Sequence, residues 1–438
     1  MAKGQSCDPV ASLENCMCPV SPLEGLLETT KKAPASLREK LKFMGPGVVL
    51  AALAIGSGEI VLTPRSGAQY GFALIWVLIL TIVYKAAFSE GLARLTIASG
   101  DDVFRAFDWL PGPRHWAQYF IILVFSLDMI GYGGIALAVG SALIGLFPSL
   151  DIRVAALYAT ALVPVLLHTG SYRFFEKVVV AMCAVLIAGV IYTLFHVPLP
   201  AEEIARGLVP RVPQGSVGTI MGLMGWVGAG TTTLLYSAWI NEKIGKARNE
   251  EDYRRWLSTM RIDCLASYTL ILGISFAFLA MGVATLHAQG LVPEKREIMV
   301  TLSRMLDFVP RGRETFLVVA FFALFSTIVS CMDGKSRAIA SMLTGISPRF
   351  SNKLKSYRIA MGAYLAVMAV TILLGDNQPG VIINMVAGMN AVVFGLLGFA
   401  LLYLDRKLPT YARGHPVLRC IVFAGSAIFL GVAFLKLL

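Results

Sequence analysis

What most constrains this chain is that apolar residues come in stretches of bilayer length almost from end to end. A helix crossing the hydrocarbon core needs about 20 predominantly apolar residues. Eleven segments qualify, at about 45–68, 72–98, 117–146, 152–169, 175–196, 215–240, 257–287, 314–343, 357–375, 380–404 and 417–437. Residues 41–438 are therefore expected to form one transmembrane domain, and an all-α one, because in lipid the backbone must satisfy its own polar groups. Of the 438 residues 56% are hydrophobic and 15% charged, which excludes an ordinary water-soluble globule and leaves no room for a soluble enzyme domain. We expect no enzymatic activity and no cofactor.

Residues 1–40 are polar, carry Cys7, Cys16 and Cys18, and lack the apolar core of a signal peptide, so they read as a largely disordered cytoplasmic tail. Cys16 and Cys18 have no neighbouring His or Cys to complete a metal site, and Cys183, Cys264, Cys331 and Cys420 read as small hydrophobes in or beside spans. Lys and Arg concentrate in "KKAPASLREKLK", "SYRFFEK", "NEKIGKARNEEDYRRW", "SPRFSNKLKSYR" and "LDRKLPTYARGHPVLR". That bias puts the N-terminus in the cytoplasm and, after eleven spans, the C-terminus outside, as in a multi-pass protein of a bacterial-type inner membrane. Topology and anionic lipid account for the formal net charge of +11, so nucleic acid is not expected as a partner. A monomer in the bilayer is expected.

The first span contains "LAIGSGEIVLTPRSGAQY", in which Gly56, Ser57 and Gly58 weaken the helix just before Glu59. Backbone that unwinds at membrane depth is tolerated only where it lines a protein cavity. The sixth span has a second such place, Gly228, Ala229 and Gly230 followed by Thr231, Thr232 and Thr233, in "MGLMGWVGAGTTTLLYS". Each cluster alone reads first as close helix packing. Five spans apart, they point to a secondary transporter of two inverted five-helix repeats, with substrate held at the midplane between the broken spans and reached by alternating access.

These motifs carry a resemblance. "GPG" at 45–47, eight residues, "GSGE", then "SGAQYGF" looks like the first span of the Nramp family of proton-coupled divalent-metal transporters, with its GPG, eight residues, Asp-Pro-Gly-Asn and AGAQFGY. "ARLTIASG" at 93–100 and "YRFFE" at 172–176 resemble further family segments, and the sixth-span stretch matches in register. The resemblance implies a LeuT-type fold of eleven spans, the first and sixth broken. The departures fall where that family binds metal. Its Asp-Pro-Gly-Asn is replaced by Gly56, Ser57, Gly58 and Glu59, and its Met-Pro-His-Asn by Ala229, Gly230, Thr231 and Thr232. Loss of the carboxylate, thioether and imidazole leaves a poor cage for a bare transition ion. Exposed N–H groups at Gly56–Gly58 would instead suit an anion, as in amino-acid carriers of the wider superfamily that this Gly-Ser-Gly resembles.

Ionisable groups at membrane depth are functional candidates. Glu59 is a candidate metal ligand and proton relay, and Asp128 in "FSLDMIGYGG" either relays protons or bonds neighbouring hydroxyls. Arg65 either clamps a substrate carboxylate or marks the rim of the first span. Lys85, Glu90 and Arg94 share a helical face and read as an internal ion network, whereas Asp333, Lys335 and Arg337 read as pathway contacts or end anchors. His168 reads as a cap, and Asn384 and Asn390 either reach substrate or bridge helices. The substrate expected from these residues is a small, citrate-like organic acid, carried as its complex with Mg²⁺ or Mn²⁺. The alternative is proton-coupled import of the free, hydrated divalent ion, and a receptor-like protein that merely keeps the fold is disfavoured by the two breaks.

Overall fold

The computed structural model describes residues 33–43, 45–47, 50, 51, 56, 58–168, 188, 192, 195, 199–375 and 378–436. In chain order its α-helices are α1 (Leu37–Phe43), α2 (Thr63–Tyr70), α3 (Ile75–Ser99), α4 (Val103–Ala106), α5 (Trp116–Leu146), α6 (Ile152–His168) and α7 (Ala201–Gly207). They continue with α8 (Val217–Trp226), α9 (Leu235–Lys243), α10 (Glu250–Met281), α11 (Ile298–Ser303), α12 (Gly312–Ile346), α13 (Lys353–Leu374), α14 (Pro379–Lys407) and α15 (Pro416–Leu435). Among the described residues seven helical stretches are long and apolar enough to cross a membrane, and the shorter Ile152–Leu167 is apolar too. The expected fifth span at 175–196, the "YRFFE" motif, Cys183, the His168 side chain and most of the 1–40 tail lie outside the described residues.

Local chemistry sets the ends. Asn249 caps α10 by accepting from the Asp252 N–H, and Asn352 caps α13 through the Lys355 N–H, each at 2.9 Å. Pro379 and Pro416 open α14 and α15 in the first turn, where no intrahelical N–H is needed. Gly100 ends α3 at φ 83°, a left-handed C-cap that a side chain resists.

The interior is polar where helices must be held in register. Glu90 and Arg94 pair along α3, Arg261 of α10 reaches Glu90 at 2.9 Å, and Asp405 of α14 lies within 4.0 Å of Arg94. Near the start of the chain, the Asp263 carboxylate accepts from the Gly45 and Gly47 N–H groups at 3.1 and 2.6 Å, fixing the entry to the first span. Lys85, expected in the Glu90 network, is not part of it; one and a half turns earlier on α3, its side chain points to another place.

Candidate functional site

That place is the break in the sixth span. α8 ends at Trp226, Val227 turns extended at ψ 130°, and Gly228, Ala229 and Gly230 follow at φ 77°, 77° and 53°. Three successive left-handed residues reverse the helical hand, and Ala229 adopts a conformation that costs a side-chain-bearing residue about 1 kcal/mol. The chain resumes as a 3₁₀ turn, Gly230–Leu234, and then α9. Thr233 donates to the Gly228 and Gly230 carbonyls at 3.2 and 2.8 Å and so replaces bonds that the helix has lost.

Opposite this break lies the first span, where Gly56 sits in a turn and a π-helical segment, Gly58–Leu62, precedes α2. Ser57 lies outside the described residues. A β-carbon on Gly58 would lie 3.0 Å from the Trp226 carbonyl, and one on Gly56 would lie 2.6 Å from the Thr327 hydroxyl. The two glycines therefore let the first span approach α8 and α12 closely, a packing reason that stands beside the expected anion cradle. A substitution at Gly58 would disturb packing and transport together.

Glu59 is fully buried, and its Oε1 accepts from the Gly228 N–H at 3.0 Å, while Oε2 has no partner. Lys85, also fully buried, donates from Nζ to the Gly225 carbonyl at 2.9 Å and the Val227 carbonyl at 2.5 Å, with the ammonium 4.4 Å from the centre of the Phe394 ring. An acid and a base on two different spans thus hold the N–H and the carbonyls that the break releases. Asn390 is buried on α14, one turn from Phe394, and neither atom of its amide has a partner.

Past the break, Thr231 donates to Asp128 of α5, and Lys335 of α12 donates to the same carboxylate oxygen at 2.6 Å and to the Thr231 hydroxyl at 3.1 Å. The Lys335 ammonium lies 5.0 and 4.8 Å from the Phe125 and Tyr132 ring centres. Asp128 retains one unpartnered oxygen. Lys335 therefore parts company with Asp333 and Arg337, which pair with each other, Asp333 also accepting from the Tyr357 hydroxyl. Thr232 contacts the Tyr132 hydroxyl at 3.3 Å and the Cys331 thiol at 3.4 Å.

Thr231→Val is accordingly expected to lower the melting temperature, by about 1–3 kcal/mol of stability, because two buried charged groups lose a shared hydroxyl. Thr232→Val, whose partners are a phenol and a thiol, should melt closer to the parent. Thermal melting of both purified variants checks this, and equal melting of the two would contradict the ranking.

Two further candidates lie elsewhere. Arg65 gives its Nε–H to the Pro293 carbonyl at 3.1 Å and pairs with Glu294 at 3.6 Å, so its guanidinium serves the loop at the end of the span and not the break. Asn384 donates to the Gly218 carbonyl at 3.1 Å, bridging α14 to α8 well before the break. Among the described residues no three His, Cys, Asp or Glu side chains converge into a set able to hold a metal ion.

Residues 47–438 match the family described as natural resistance-associated macrophage protein-like, Nramp. The chain belongs to the Nramp family. This Nramp protein is a multi-pass membrane transporter, and its curated relatives include the divalent metal cation transporter MntH of Yersinia pestis, 25% identical over 322 residues, or 72% of this chain and 76% of the relative. MntH of Mycobacterium tuberculosis is 26% identical over 275 residues, covering 60% and 62%. The fold is shared with the Eremococcus coleocola manganese transporter, with a TM-score of 0.66 at 16% identity across 93% of this chain and 89% of that one. It is shared as well with Mhp1, a nucleobase-cation-symport-1 family transporter, with a TM-score of 0.59 at 13% identity and 90% of each chain covered. These findings bear out the LeuT-type, all-helical fold. They favour metal transport over the citrate-like cargo expected from the sequence.

Proposed function

We propose that this protein is a secondary transporter that carries a hard divalent cation, Mn²⁺ or Mg²⁺, past the junction of Glu59 in the first span with the Gly228–Gly230 break in the sixth. The observation that carries this reading is the Glu59 carboxylate, buried at the break with one oxygen bound to Gly228 and the other unpartnered. The break beside it carries the Thr231 and Thr232 hydroxyls and the Gly225 and Val227 carbonyls, the latter held by the Lys85 ammonium, with the Cys331 thiol against Thr232. One carboxylate with neutral oxygens suits a hard ion that keeps part of its water shell, since no thioether or imidazole rewards stripping a soft one. The MntH relatives, by name divalent metal cation transporters, support the same cargo class.

Glu59→Gln should reduce uptake of Mn²⁺ and Mg²⁺ into proteoliposomes by about tenfold or more, because the site loses its anion while keeping its shape. Uptake unchanged in this variant, with the parent active, would remove Glu59 from the pathway.

A second reading rests on one observation, the burial of two lysines, Lys85 and Lys335, beside the break. Positive charge there favours a cargo that brings its own negative charge, such as a citrate complex of the metal. Uptake of Mn²⁺ that requires citrate, and citrate uptake that requires Mn²⁺, would establish that reading over transport of the free ion.

A further inference from the structure

A broken helix ends in carbonyls that have lost their N–H partners, and this end of α8 is also the negative end of the helix dipole. In a cation transporter those carbonyls are the natural place for the cargo. Here the Gly225 and Val227 carbonyls receive the Lys85 ammonium at 2.9 and 2.5 Å, and the Phe394 ring lies 4.4 Å from it. The lysine stem completes the fit, its Cδ lying 3.3 Å from where a β-carbon on Gly228 would be. Across the break, the Gly228 N–H is held by Glu59. The Gly225 and Val227 carbonyls and the Gly228 N–H are therefore each met by a charged side chain of the protein, the carbonyls by a cation and the N–H by an anion.

From this arrangement we propose that Lys85 is a tethered internal cation, which occupies the carbonyl pair of the unloaded transporter and competes with the incoming ion for it. The inference rests on the divalent-cation reading above. An ammonium on a four-carbon stem can withdraw along α3, whereas a fixed charge could not. Its presence sets a threshold: an ion must repay the lost ammonium contacts and overcome repulsion from the charge before it can settle. The lost ammonium contacts are a fixed cost, and once the ammonium has withdrawn a divalent ion, with twice the attraction of a monovalent one for Glu59 and the helix end, repays it more readily. Lys85 thus acts as a specificity residue, discriminating by charge in a site whose ligands discriminate little.

The test is Mn²⁺ binding to the purified full-length protein by calorimetry, in the parent, Lys85→Gln and Lys85→Ala, with thermal melting alongside. Lys85→Gln keeps donors for the carbonyls without the charge and should bind Mn²⁺ about tenfold more tightly. Lys85→Ala leaves space for an added small ammonium, so methylammonium chloride should raise its melting temperature and weaken its Mn²⁺ binding, with neither effect in the parent. A purely structural lysine would not make Mn²⁺ binding sensitive to an ammonium supplied from solution. Mn²⁺ binding that is unchanged or weaker in Lys85→Gln, or methylammonium without effect on Lys85→Ala, overturns the inference and leaves the cargo reading standing. Absence of Mn²⁺ and Mg²⁺ binding in the parent and every variant overturns the cargo reading itself, and the competition with it.

Discussion

Replacing Lys335 with methionine should destabilise this transporter by about 3–5 kcal/mol, because it leaves the Asp128 carboxylate as an uncompensated charge in the membrane interior. Lys335 is 1% exposed and Asp128 is fully buried, so water cannot take over the lost contact. The two aromatic rings around the ammonium, Phe125 and Tyr132, offer a carboxylate nothing in return. The double variant Asp128→Asn with Lys335→Met should recover much of the loss, since a neutral amide beside a thioether leaves no charge exposed to lipid-like surroundings. Melting of the two single variants and the double variant gives the coupling directly. Strictly additive losses would mean that Asp128 and Lys335 do not stabilise each other.

Gly225→Ala is the second large effect. A β-carbon at this position would overlap the Ala387 carbonyl of α14 and lie 3.0 Å from the Ala391 nitrogen, and backbone on a neighbouring helix cannot swing aside as a side chain does. We expect a loss of about 3 kcal/mol. Uptake should fall further than stability alone accounts for, because displacing α8 also moves the carbonyls that Lys85 holds. Gly273→Ala on α10 is the control: nothing lies within 4 Å of its β-carbon, and relief of the glycine should stabilise by up to about 1 kcal/mol. If both substitutions behave alike, close packing at Gly225 is not what that glycine supplies.

The sequence disclosed the break in the sixth span because the signal is local, two glycines one residue apart in an apolar helix, although the left-handed Ala229 between them was not announced. Glu59 was legible for a similar reason, as a charge next to a helix-weakening cluster in an apolar segment. The Glu90–Arg94 pair was legible from its i,i+4 spacing, but the distant partners of Lys85 and Lys335 were not. Lys85 meets carbonyls 140 and 142 positions away, and Lys335 meets an aspartate 207 positions away, so no spacing rule reaches them. The sequence expectation grouped Lys85 with Glu90 and Arg94 on one helical face, but at about 100° per residue it lies roughly 140° and 180° round α3 from them, which turns it out of their network. Arg65 shows the opposite problem: two chemically sound roles were open, and the choice depended on where the 293–294 loop lies. Gly225 carried no signal at all among 41 glycines, since what makes it indispensable is a carbonyl on another helix.

The contact of α8 with α14 has a mechanical side. A β-carbon on Gly225 would strike the Ala387 carbonyl and one on Gly222, a turn earlier, the Asn384 amide, so the two helices touch main chain to main chain at Gly225 with a single side chain between them at Gly222. Helices separated by many side chains can slip past one another as rotamers exchange, but a seam closed by main chain at Gly225 and pinned by the Asn384 amide on Gly218 has little to yield. α8 and α14 are consequently one stiff plank, and the give in the sixth span is confined to the short left-handed link that joins α8 to α9. Any rocking that opens a path must carry the plank whole, with the link as its pivot, so the moving mass is two helices wide even though only one of them is broken.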